Sequence, residues 1–582
     1  MNKSQNNISM KKIIWSLWFQ SRDEAPQIVR KCLDSWEYQN PTWEFRCLDA
    51  NSIERYISIK DYIDLDQQEI TAASLSDIVR ILLLHEYGGV WVDATLFCNQ
   101  ALDTWLPELM TAGFFAFSVP AQNRLLSSWF LASEPNNLIV TRWCAQAIRY
   151  WKNRTHSDDY FWFHHQFNEL CETDETVHRN WIRVPKLGAN KPHAIQFTIG
   201  MYRLQSETID LVDWTTPVFK LTYRIDQEKY TSSCLLHYLL DRNYEKKVPE
   251  EPIEDKSEHG LPMIFAGLKV STENLGDHIQ IIAGEHLLTR HGVKPSFYID
   301  RDTNLATSER VNKAKGQVAI LMNGWFKRNS EEWPPHPKLT PLFLGFHIRL
   351  FQCPELISDA SIDYYRQYQP IGCRDSYTET LLRSKGIETF LSNCLSLTLP
   401  RRLEELQYQK EIFVVSRDKQ LLKFLPSDLG QYTYISHYSG STNFEDNMVE
   451  AQELLQTYHR RARLIITTLL HCALPAIAMG IPVIVLYPPN NEFGHNSDKE
   501  RFSTLAKMIR IYQLNEIENV DWNPKIIDIS DIKLGILDRF YEITKTWPIV
   551  VKQPLGPIAQ SSALPPPVPA GGNNMNKHIE QG

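Results

Sequence analysis

The sequence is poor in several features that would assign it to a common functional class. It has no block of basic residues and a formal net charge of −8 over 582 residues. A nucleic-acid partner is therefore not indicated, because phosphate backbones recruit clustered lysine and arginine. Its ten cysteines show no paired spacing, so neither a zinc site nor a disulfide framework is indicated. Its apolar runs fall short of the roughly 20 residues that cross a membrane. We expect a cytoplasmic protein without a transmembrane segment, and peripheral association with the inner face of the plasma membrane stays open.

The length of the chain predicts more than one domain. A single hydrophobic core rarely serves 582 residues, so two or three domains are expected. Residues 242–260 are charged and carry two prolines, which predicts a linker. Residues 552–582 are rich in proline, glycine and asparagine, which predicts a disordered tail. The predicted domains are therefore residues 1–242 and 261–551, and we expect them to fold separately.

The second half of the chain has the pattern of an α/β protein. Its β-branched runs alternate with helical patterns and are bounded by turn residues. They lie at residues 317–322, 411–415, 464–467 and 482–486. Alternation of this kind predicts parallel sheets covered by helices.

The stretch from Ala72 to Thr95 predicts a helix, a glycine stop and a strand. Apolar residues recur at helical spacing in its first part. Gly88 and Gly89 then suit a left-handed helix end. A short strand follows, and Asp93 stands where it ends.

Three charged residues in this stretch are candidate ligands for a metal-bound diphosphate and a sugar. Asp77 and Arg80 are three positions apart, so they share one helix face, and Asp93 follows at the nearby strand end. Hard divalent cations take carboxylate and phosphate oxygens. The alternative is a surface salt bridge and a turn aspartate.

The pattern Ser-Asp77-x-x-Arg80 followed by Tyr-Gly-Gly-x-Trp-x-Asp93-Ala-Thr95 resembles the capsular polysaccharide synthesis glycosyltransferases. These are relatives of the mannosyl and toxin-type transferases, with a GT-A fold, and the likeness extends over about residues 10 to 240. It implies transfer of a sugar, with retained configuration, from a nucleotide-sugar donor to a glycan or lipid-linked glycan acceptor.

The same resemblance implies roles for individual residues. Asp93 would hold Mg²⁺ or Mn²⁺, Asp77 would bind sugar or ribose hydroxyls, and Arg80 would pair with charge on the donor. Trp18 would stack on the nucleotide base, unless it belongs to the core. Thr95 stands where relatives have the second acid of an Asp-x-Asp motif.

A second constellation of polar residues lies in the C-terminal half. Asp277, Arg374 and His471 each stand between a strand or loop and a helix start. Ligands of open parallel sheets collect at the carboxyl ends of strands, and helix N-termini attract anions. We expect these three residues to converge on one anionic ligand. The alternatives are an N-cap, a structural ion pair and a packed histidine.

Residues 370–399 and 462–486 resemble the polysaccharide pyruvyltransferase family, in a likeness that extends over about residues 260 to 535. The resemblance implies a GT-B-like fold of two doubly wound lobes and transfer of pyruvyl from phosphoenolpyruvate to sugar hydroxyls as a ketal. His471, which we expect to titrate near neutrality, would be the catalytic acid/base, and Arg374 would be the catalytic cation. Leu469 stands where the family has an arginine.

Together these patterns predict a bifunctional enzyme of surface-polysaccharide assembly. The alternative is a glycosyltransferase with a single activity, whose C-terminal domain only binds glycan or acts as a scaffold. The replacement at Leu469 favours that alternative. A toxin-type transferase that modifies a host protein is a third hypothesis, and the capsular form of the motif argues against it.

Overall fold

The computed structural model describes residues 11–241, 263–326, 332–349, 354–403, 410–487 and 500–547, apart from residues 66, 153, 158, 418 and 546. The predicted linker and tail lie outside these residues. The described part is a mixed α/β structure with sheets of five, six and five strands and a two-stranded ribbon. Among the described helices, none combines the length and the apolar character needed to cross a membrane.

The N-terminal half contains the first five-stranded sheet and the ribbon. Its strands are β1 (Ile13–Leu17), β2 (Glu44–Leu48), β3 (Gly89–Val92), β4 (Leu96–Cys98), β5 (Phe114–Ala121), β6 (Arg124–Ser133) and β7 (Val218–Lys220). Its helices are α1 (Gln27–Gln39), α2 (Ile53–Tyr56), α3 (Ala72–Tyr87), α4 (Leu106–Leu109), α5 (Leu138–Trp151), α6 (Trp162–Thr173), α7 (Glu175–Arg183), α8 (Gln205–Thr208) and α9 (Leu235–Leu240).

The first sheet has the order β2-β1-β3-β6-β5. Strand β1 is parallel to both β2 and β3, while β6 is antiparallel to both of its neighbours. The carboxyl ends of β1 and β3 therefore meet at one edge. The ribbon pairs β4 with β7 in antiparallel register.

Helix α3 begins and ends as the sequence predicts. The Thr71 side chain caps its start by accepting from the Ser74 amide. Gly88 and Gly89 follow its last turn with φ of +69° and +93°. Because L side chains rarely adopt these angles, the glycines end the helix and turn the chain directly into β3.

Among its described residues, the C-terminal half contains two sheets in which every strand pair is parallel. The strands are β8 (Ile264–Lys269), β9 (Phe297–Asp300), β10 (Val318–Trp325), β11 (Leu339–His347), β12 (Ile371–Cys373), β13 (Thr389–Leu391), β14 (Glu411–Val415), β15 (Tyr432–Ile435), β16 (Ala462–Thr467), β17 (Val483–Leu486) and β18 (Ile511–Tyr512). Their orders are β13-β12-β11-β10-β8-β9 and β15-β14-β16-β17-β18. The parallel sheets expected from the alternating pattern are confirmed.

The helices of this half are α10 (Leu275–Arg290), α11 (Glu309–Lys313), α12 (Asp359–Tyr368), α13 (Ser376–Ser384), α14 (Phe444–Arg461), α15 (Leu470–Ala478), α16 (Leu505–Met508) and α17 (Ser530–Thr544). Helices α10, α14 and α15 pack against one another. Along the chain, α10 follows β8, while α14 and α15 precede and follow β16. Helices α10 and α15 carry Asp277 and His471 of the second candidate site.

The two halves contact each other along an extended interface, which the charged linker did not lead us to expect. Their separate folding stays a prediction. One hydrophobic cluster contains buried residues of both halves, from Ile13 to Phe540. Polar contacts cross the same boundary. Arg46 binds both carboxylate oxygens of Asp538 on α17, at 3.1 and 2.7 Å. This interface could not be predicted from the sequence, because charged residues such as Arg46 and Asp538 are typical of a solvent-exposed surface.

A buried ion pair lies at the centre of this interface. Lys533 on α17 contacts Glu86 at the end of α3, and their side chains are 3% and 5% exposed. The Lys533 ammonium also donates to the Leu399 carbonyl at 2.8 Å and lies 3.5 Å from that of Ala478 at the end of α15. The backbone amide of Arg401 donates to the other Glu86 oxygen at 3.1 Å. The pair therefore joins α3 of the N-terminal half to three segments of the C-terminal half, which are α17, the segment of Leu399 and Arg401, and the end of α15.

Replacing Lys533 with alanine should lower the free energy of unfolding by about 3–5 kcal/mol, because it leaves the Glu86 carboxylate buried without its counter-ion. Denaturant unfolding followed by circular dichroism measures the loss. Lys313→Ala removes an exposed ion pair with Glu309 and should leave stability nearly unchanged. Equal effects of the two substitutions would contradict a structural role for the buried pair.

Candidate functional site

The first candidate site lies where β1 and β3 end. The parallel register places Trp15 opposite Trp91, so Trp18 lies level with the Asp93 segment. Trp18 is half-buried and packs edge-on against Tyr223 at 5.5 Å between ring centroids. The predicted platform residue and the predicted metal ligand are thus neighbours at the same sheet edge.

Both carboxylate oxygens of Asp93 have cationic partners. Oδ1 lies 3.3 Å from Nη2 of Arg80 and accepts from Nε1 of Trp91 at 3.1 Å. Oδ2 accepts from Nζ of Lys220 at 3.2 Å. The same ammonium donates to Oγ1 of Thr95 at 2.5 Å. Asp93 is therefore held between an arginine from α3 and a lysine from β7.

Asp77 and Arg80 share one helix face, as their spacing predicts, and they contact each other. Oδ1 of Asp77 lies 3.1 Å from Nη1 of Arg80. That nitrogen also donates to the Ser128 carbonyl at 2.8 Å. The guanidinium lies over the Trp91 ring at 5.1 Å, so it has little freedom to move. Both side chains are buried, which excludes the exposed salt bridge that we considered as an alternative.

Burial affects the two carboxyl groups differently. For Asp77, burial raises the pKa to about 7, with Arg80 opposing the rise and the Asp93 carboxylate adding to it. For Asp93, burial also favours the neutral form, but Lys220 and Arg80 outweigh it and lower the pKa to about 2. Asp93 is consequently an anion at neutral pH, while Asp77 is close to its titration point.

The donor set at Asp93 does not fit a divalent cation in the arrangement observed. A carboxylate offers about four lone-pair positions, and three of those on Asp93 face Arg80, Trp91 and Lys220. Across the described ranges no group of three or more acidic, histidine or cysteine side chains is placed to hold a metal. Binding of Mg²⁺ or Mn²⁺ by Asp93 stays a prediction, and a cation at Oδ2 would compete with the ammonium of Lys220.

The second candidate site lies at the carboxyl ends of strands in the C-terminal half. Arg374 directly follows β12, and His471 lies in the first turn of α15, after β16. Asp277 lies in the first turn of α10, which the Asn274 side chain caps. The three side chains are 2–4% exposed.

Contacts join these three residues as expected. Nη1 of Arg374 donates to Gln280 at 3.3 Å, and Gln280 donates to Asp277 at 3.2 Å. A side chain on Gly276 would come within 3.1 Å of Cβ of His471. The glycine therefore lets His471 lie directly against the N-terminus of α10. The three side chains are thus close together, and the anionic ligand that they would share stays a prediction.

Several polar atoms of this cluster are buried without a hydrogen-bond partner. Among the described residues they include Nε and Nη2 of Arg374 and Nε2 of both His347 and His471. Buried polar groups are normally paired. Donors left unpaired beside a helix N-terminus are suited to bind an anion.

The protonation state of His471 differs from the one we expected. Burial, with Arg374 and Arg501 adding to it, lowers the pKa of His471 well below its ordinary value. His471 is therefore neutral at physiological pH in the ligand-free protein, whereas an acid/base titrating near neutrality was predicted. An anion bound beside Arg374 would offset the positive charge and raise this pKa.

The structure also locates the residue that departs from the family motif. Leu469 is the N-cap residue of α15 and offers no side-chain hydrogen bond. Its backbone amide donates to Oγ1 of Thr467 at 3.0 Å. Arg374 and Arg501 are the cations that lower the pKa of His471, and Leu469 adds none.

Lys220 and Arg501 were missed by the sequence analysis. Lys220 lies 127 positions after Asp93 in a three-residue strand, and no motif marks it. Its place follows from the ribbon register, which sets Lys220 opposite Leu96. Arg501 precedes a short helix and likewise has no motif.

Comparison with known proteins supports a transferase. The chain is 24% identical over 174 residues to the O-glycosyltransferase braB of Annulohypoxylon truncatum, which spans 26% of this chain and 41% of that protein. It is also 24% identical over 148 residues to the glycosyltransferase afumC of Aspergillus fumigatus. That match covers 22% of this chain and 38% of that protein. The matches thus cover less than half the length of these curated relatives.

A solved structure also aligns with the chain. The apo-form glycosyltransferase GlyE of Streptococcus pneumoniae aligns with 12% identity and a TM-score of 0.26, covering 57% of this chain and 96% of that one. A superposition at this score carries no argument about fold or activity.

Two family models match the two halves. The model described as capsular polysaccharide synthesis protein matches residues 1–239. The model described as polysaccharide pyruvyl transferase matches residues 274–490. The first candidate site lies inside the first match. Asp277, Arg374 and His471 lie inside the second. The chain therefore carries a match to the capsular polysaccharide synthesis proteins in its N-terminal half and a match to the polysaccharide pyruvyl transferases in its C-terminal half.

Proposed function

We propose that this protein is a cytoplasmic enzyme of bacterial surface-polysaccharide assembly that transfers a sugar from a nucleotide-sugar donor to a glycan or lipid-linked glycan. The partly buried cluster of Arg80, Asp93 and Lys220 at the β1–β3 edge is the observation that carries the proposal. Two cations at a partly buried site suit a diphosphate, because charge-assisted hydrogen bonds to phosphate oxygens are strong. The N-terminal half would be the GT-A-type domain, residues 1–242, and would retain the anomeric configuration.

Each residue of this site would have a separate task in the transfer. Departure of the nucleoside diphosphate builds negative charge, which Arg80 and Lys220 would stabilise, as preorganised cations do in a site shielded from water. Asp77 would accept from or donate to a sugar or ribose hydroxyl, since its pKa near 7 makes both protonation states accessible. Trp18 and Tyr223 would contact the base, because aromatic faces stack on bases.

A divalent cation, if bound, would supply further charge at the diphosphate. Asp93 is the residue that would contact it. In the arrangement described here, the same carboxylate orients Arg80 and Lys220 instead.

Asp93→Asn should lower sugar transfer by about 100-fold or more, because it removes the anion that orients both cations, and preorganised electrostatic groups contribute on that scale. Release of nucleoside diphosphate by the full-length protein, tested with a panel of nucleotide-sugars, measures the loss. Asp210→Asn makes the same chemical change at an exposed position and should retain activity. Full activity of Asp93→Asn would remove the site from the catalytic account.

The C-terminal half supports a second proposed activity, pyruvyl transfer from phosphoenolpyruvate by residues 261–551. We propose that these residues form the GT-B-like pair of lobes, with the phosphoenolpyruvate site beside α10. Nη2 of Arg374 and Nε2 of His471, which are buried without a hydrogen-bond partner, are the observation that favours it. They would bind the carboxylate and phosphate of the donor.

The chemistry of a ketal defines what these residues must do. The methylene carbon of phosphoenolpyruvate gains a proton, and a sugar hydroxyl attacks C2 of the resulting cation. Phosphate then leaves, and a second hydroxyl closes the ketal. His471 would move protons once the bound anion has raised its pKa, and Arg374 would stabilise the carboxylate. The alternative is a C-terminal half that only binds glycan, which the apolar Leu469 favours.

Millimolar phosphoenolpyruvate should raise the thermal unfolding temperature of the full-length protein, because a ligand that binds only the folded state stabilises it. His471→Gln with Arg374→Gln should weaken this binding about 10- to 100-fold, the range for lost charge-assisted hydrogen bonds. Arg310→Ala, an exposed change on α11, is the control and should leave the shift intact. Absence of any shift in the wild type would support the binding-module alternative.

A further inference from the structure

The side chain of Lys220 reaches the position that a metal ion would take in an Asp-x-Asp site. Its Nζ bonds the first residue of Asp93-Ala94-Thr95 at Oδ2 and the last at Oγ1, at 3.2 and 2.5 Å. The ammonium thus bridges the two ends of the motif. A divalent cation bridging two acids would make the same pair of contacts.

The backbone fixes Lys220 in this place. The register of the ribbon sets it opposite Leu96, directly after Thr95. The amide of Leu221 donates to the Thr95 carbonyl at 3.0 Å, and the amide of Lys220 donates to the Pro192 carbonyl at 2.9 Å. The lysine side chain is 17% exposed. The backbone hydrogen bonds of Lys220 and Leu221 therefore fix the position of Lys220, and its ammonium group lies at the site.

Charge balance also favours the lysine over a metal. With two acids and one divalent cation, a motif of this kind sums to zero charge. Here Thr95 removes one negative charge, and Asp93 with Lys220 again sums to zero. A divalent cation added to Asp93 would lie beside an ammonium only 3.2 Å from Oδ2, where like charges repel.

The ammonium group of Lys220 also has an N–H donor that is available to bind a ligand. An ammonium carries three N–H donors, and Asp93 and Thr95 take two of them. Within the part of the chain that the structure describes, no further acceptor for Lys220 is present among its contacts. The third donor can therefore bind a phosphate oxygen beside the guanidinium of Arg80.

We propose that Lys220 supplies the positive charge that binds the donor diphosphate in place of a divalent cation, so that donor binding is independent of metal. This inference rests on the proposed sugar transfer, since it concerns the same site. It assigns Lys220 as a donor-binding residue. It also gives a reason for Thr95, whose hydroxyl accepts from the ammonium where a second carboxylate would instead attract a metal.

Titration calorimetry on the full-length protein tests this inference with UDP, GDP, dTDP and ADP as probes. Each probe is titrated once in EDTA and once in millimolar Mn²⁺. We expect at least one of them to bind in EDTA with a Kd that Mn²⁺ changes by less than about tenfold. Lys220→Met should weaken binding in EDTA by more than that factor. Lys220→Arg, which keeps the charge, should restore binding and shows that the loss is not a folding defect.

Two further variants sharpen the test. Lys191→Met removes an exposed ion pair with Asp213 in the same half and should bind like the wild type. Thr95→Asp with Lys220→Met rebuilds a two-acid motif and should bind a probe only when Mn²⁺ is present. A rebuilt site that still ignores Mn²⁺ would overturn the inference.

The outcomes separate this inference from the proposed function. Wild-type binding that requires Mn²⁺ overturns the role of Lys220 and leaves sugar transfer standing. A wild type that binds none of the four nucleotides under either condition overturns the nucleotide-sugar site itself, and the role of Lys220 with it.

Discussion

The buried contact between Glu86 and Lys533 is the constraint on which the rest of the structure depends. Glu86 ends the helix whose other face carries Asp77 and Arg80, and Lys533 lies on the last described helix. The ammonium also contacts the Ala478 carbonyl at the end of the helix that begins beside His471. One side chain therefore fixes elements of both candidate sites. Burying two charges costs desolvation energy, so the pair acts mainly to specify this arrangement.

Both candidate sites are built from buried charges that depend on each other. At the first site, Asp93 stays ionised because two cations surround it, and those cations are oriented because Asp93 is ionised. At the second site, burial lowers the pKa of His471, and the positive charges of Arg374 and Arg501 lower it further. The charges of the first site are thus balanced before the nucleotide-sugar binds. The second site instead has buried nitrogen atoms without a hydrogen-bond partner, to which an anion could bind. This difference suits a site that releases an anion and a site that must capture one.

Local patterns in the sequence predicted local structure well. The run at residues 411–415 is β14 as expected, and the glycine stop after α3 has positive φ at both positions. The convergence of Asp277, Arg374 and His471 followed from the rule that ligands of parallel sheets gather at strand ends. What the sequence could not show depends on contacts between distant segments. Lys220 meets Asp93 across 127 positions, and Lys533 meets Glu86 across 447. The sequence does not distinguish a buried lysine from an exposed one, so neither contact could be predicted from a sequence pattern.

Helices that carry residues of both candidate sites belong to one hydrophobic cluster, and we expect this cluster to open as a single cooperative unit. Native-state hydrogen exchange on the full-length protein tests it most directly, because it measures opening free energies segment by segment. The account predicts one common opening free energy for the amides of α3, α15 and α17, and an equal fall in all three in Lys533→Ala. Protection of α3 that is unaffected while α15 and α17 open independently would contradict it.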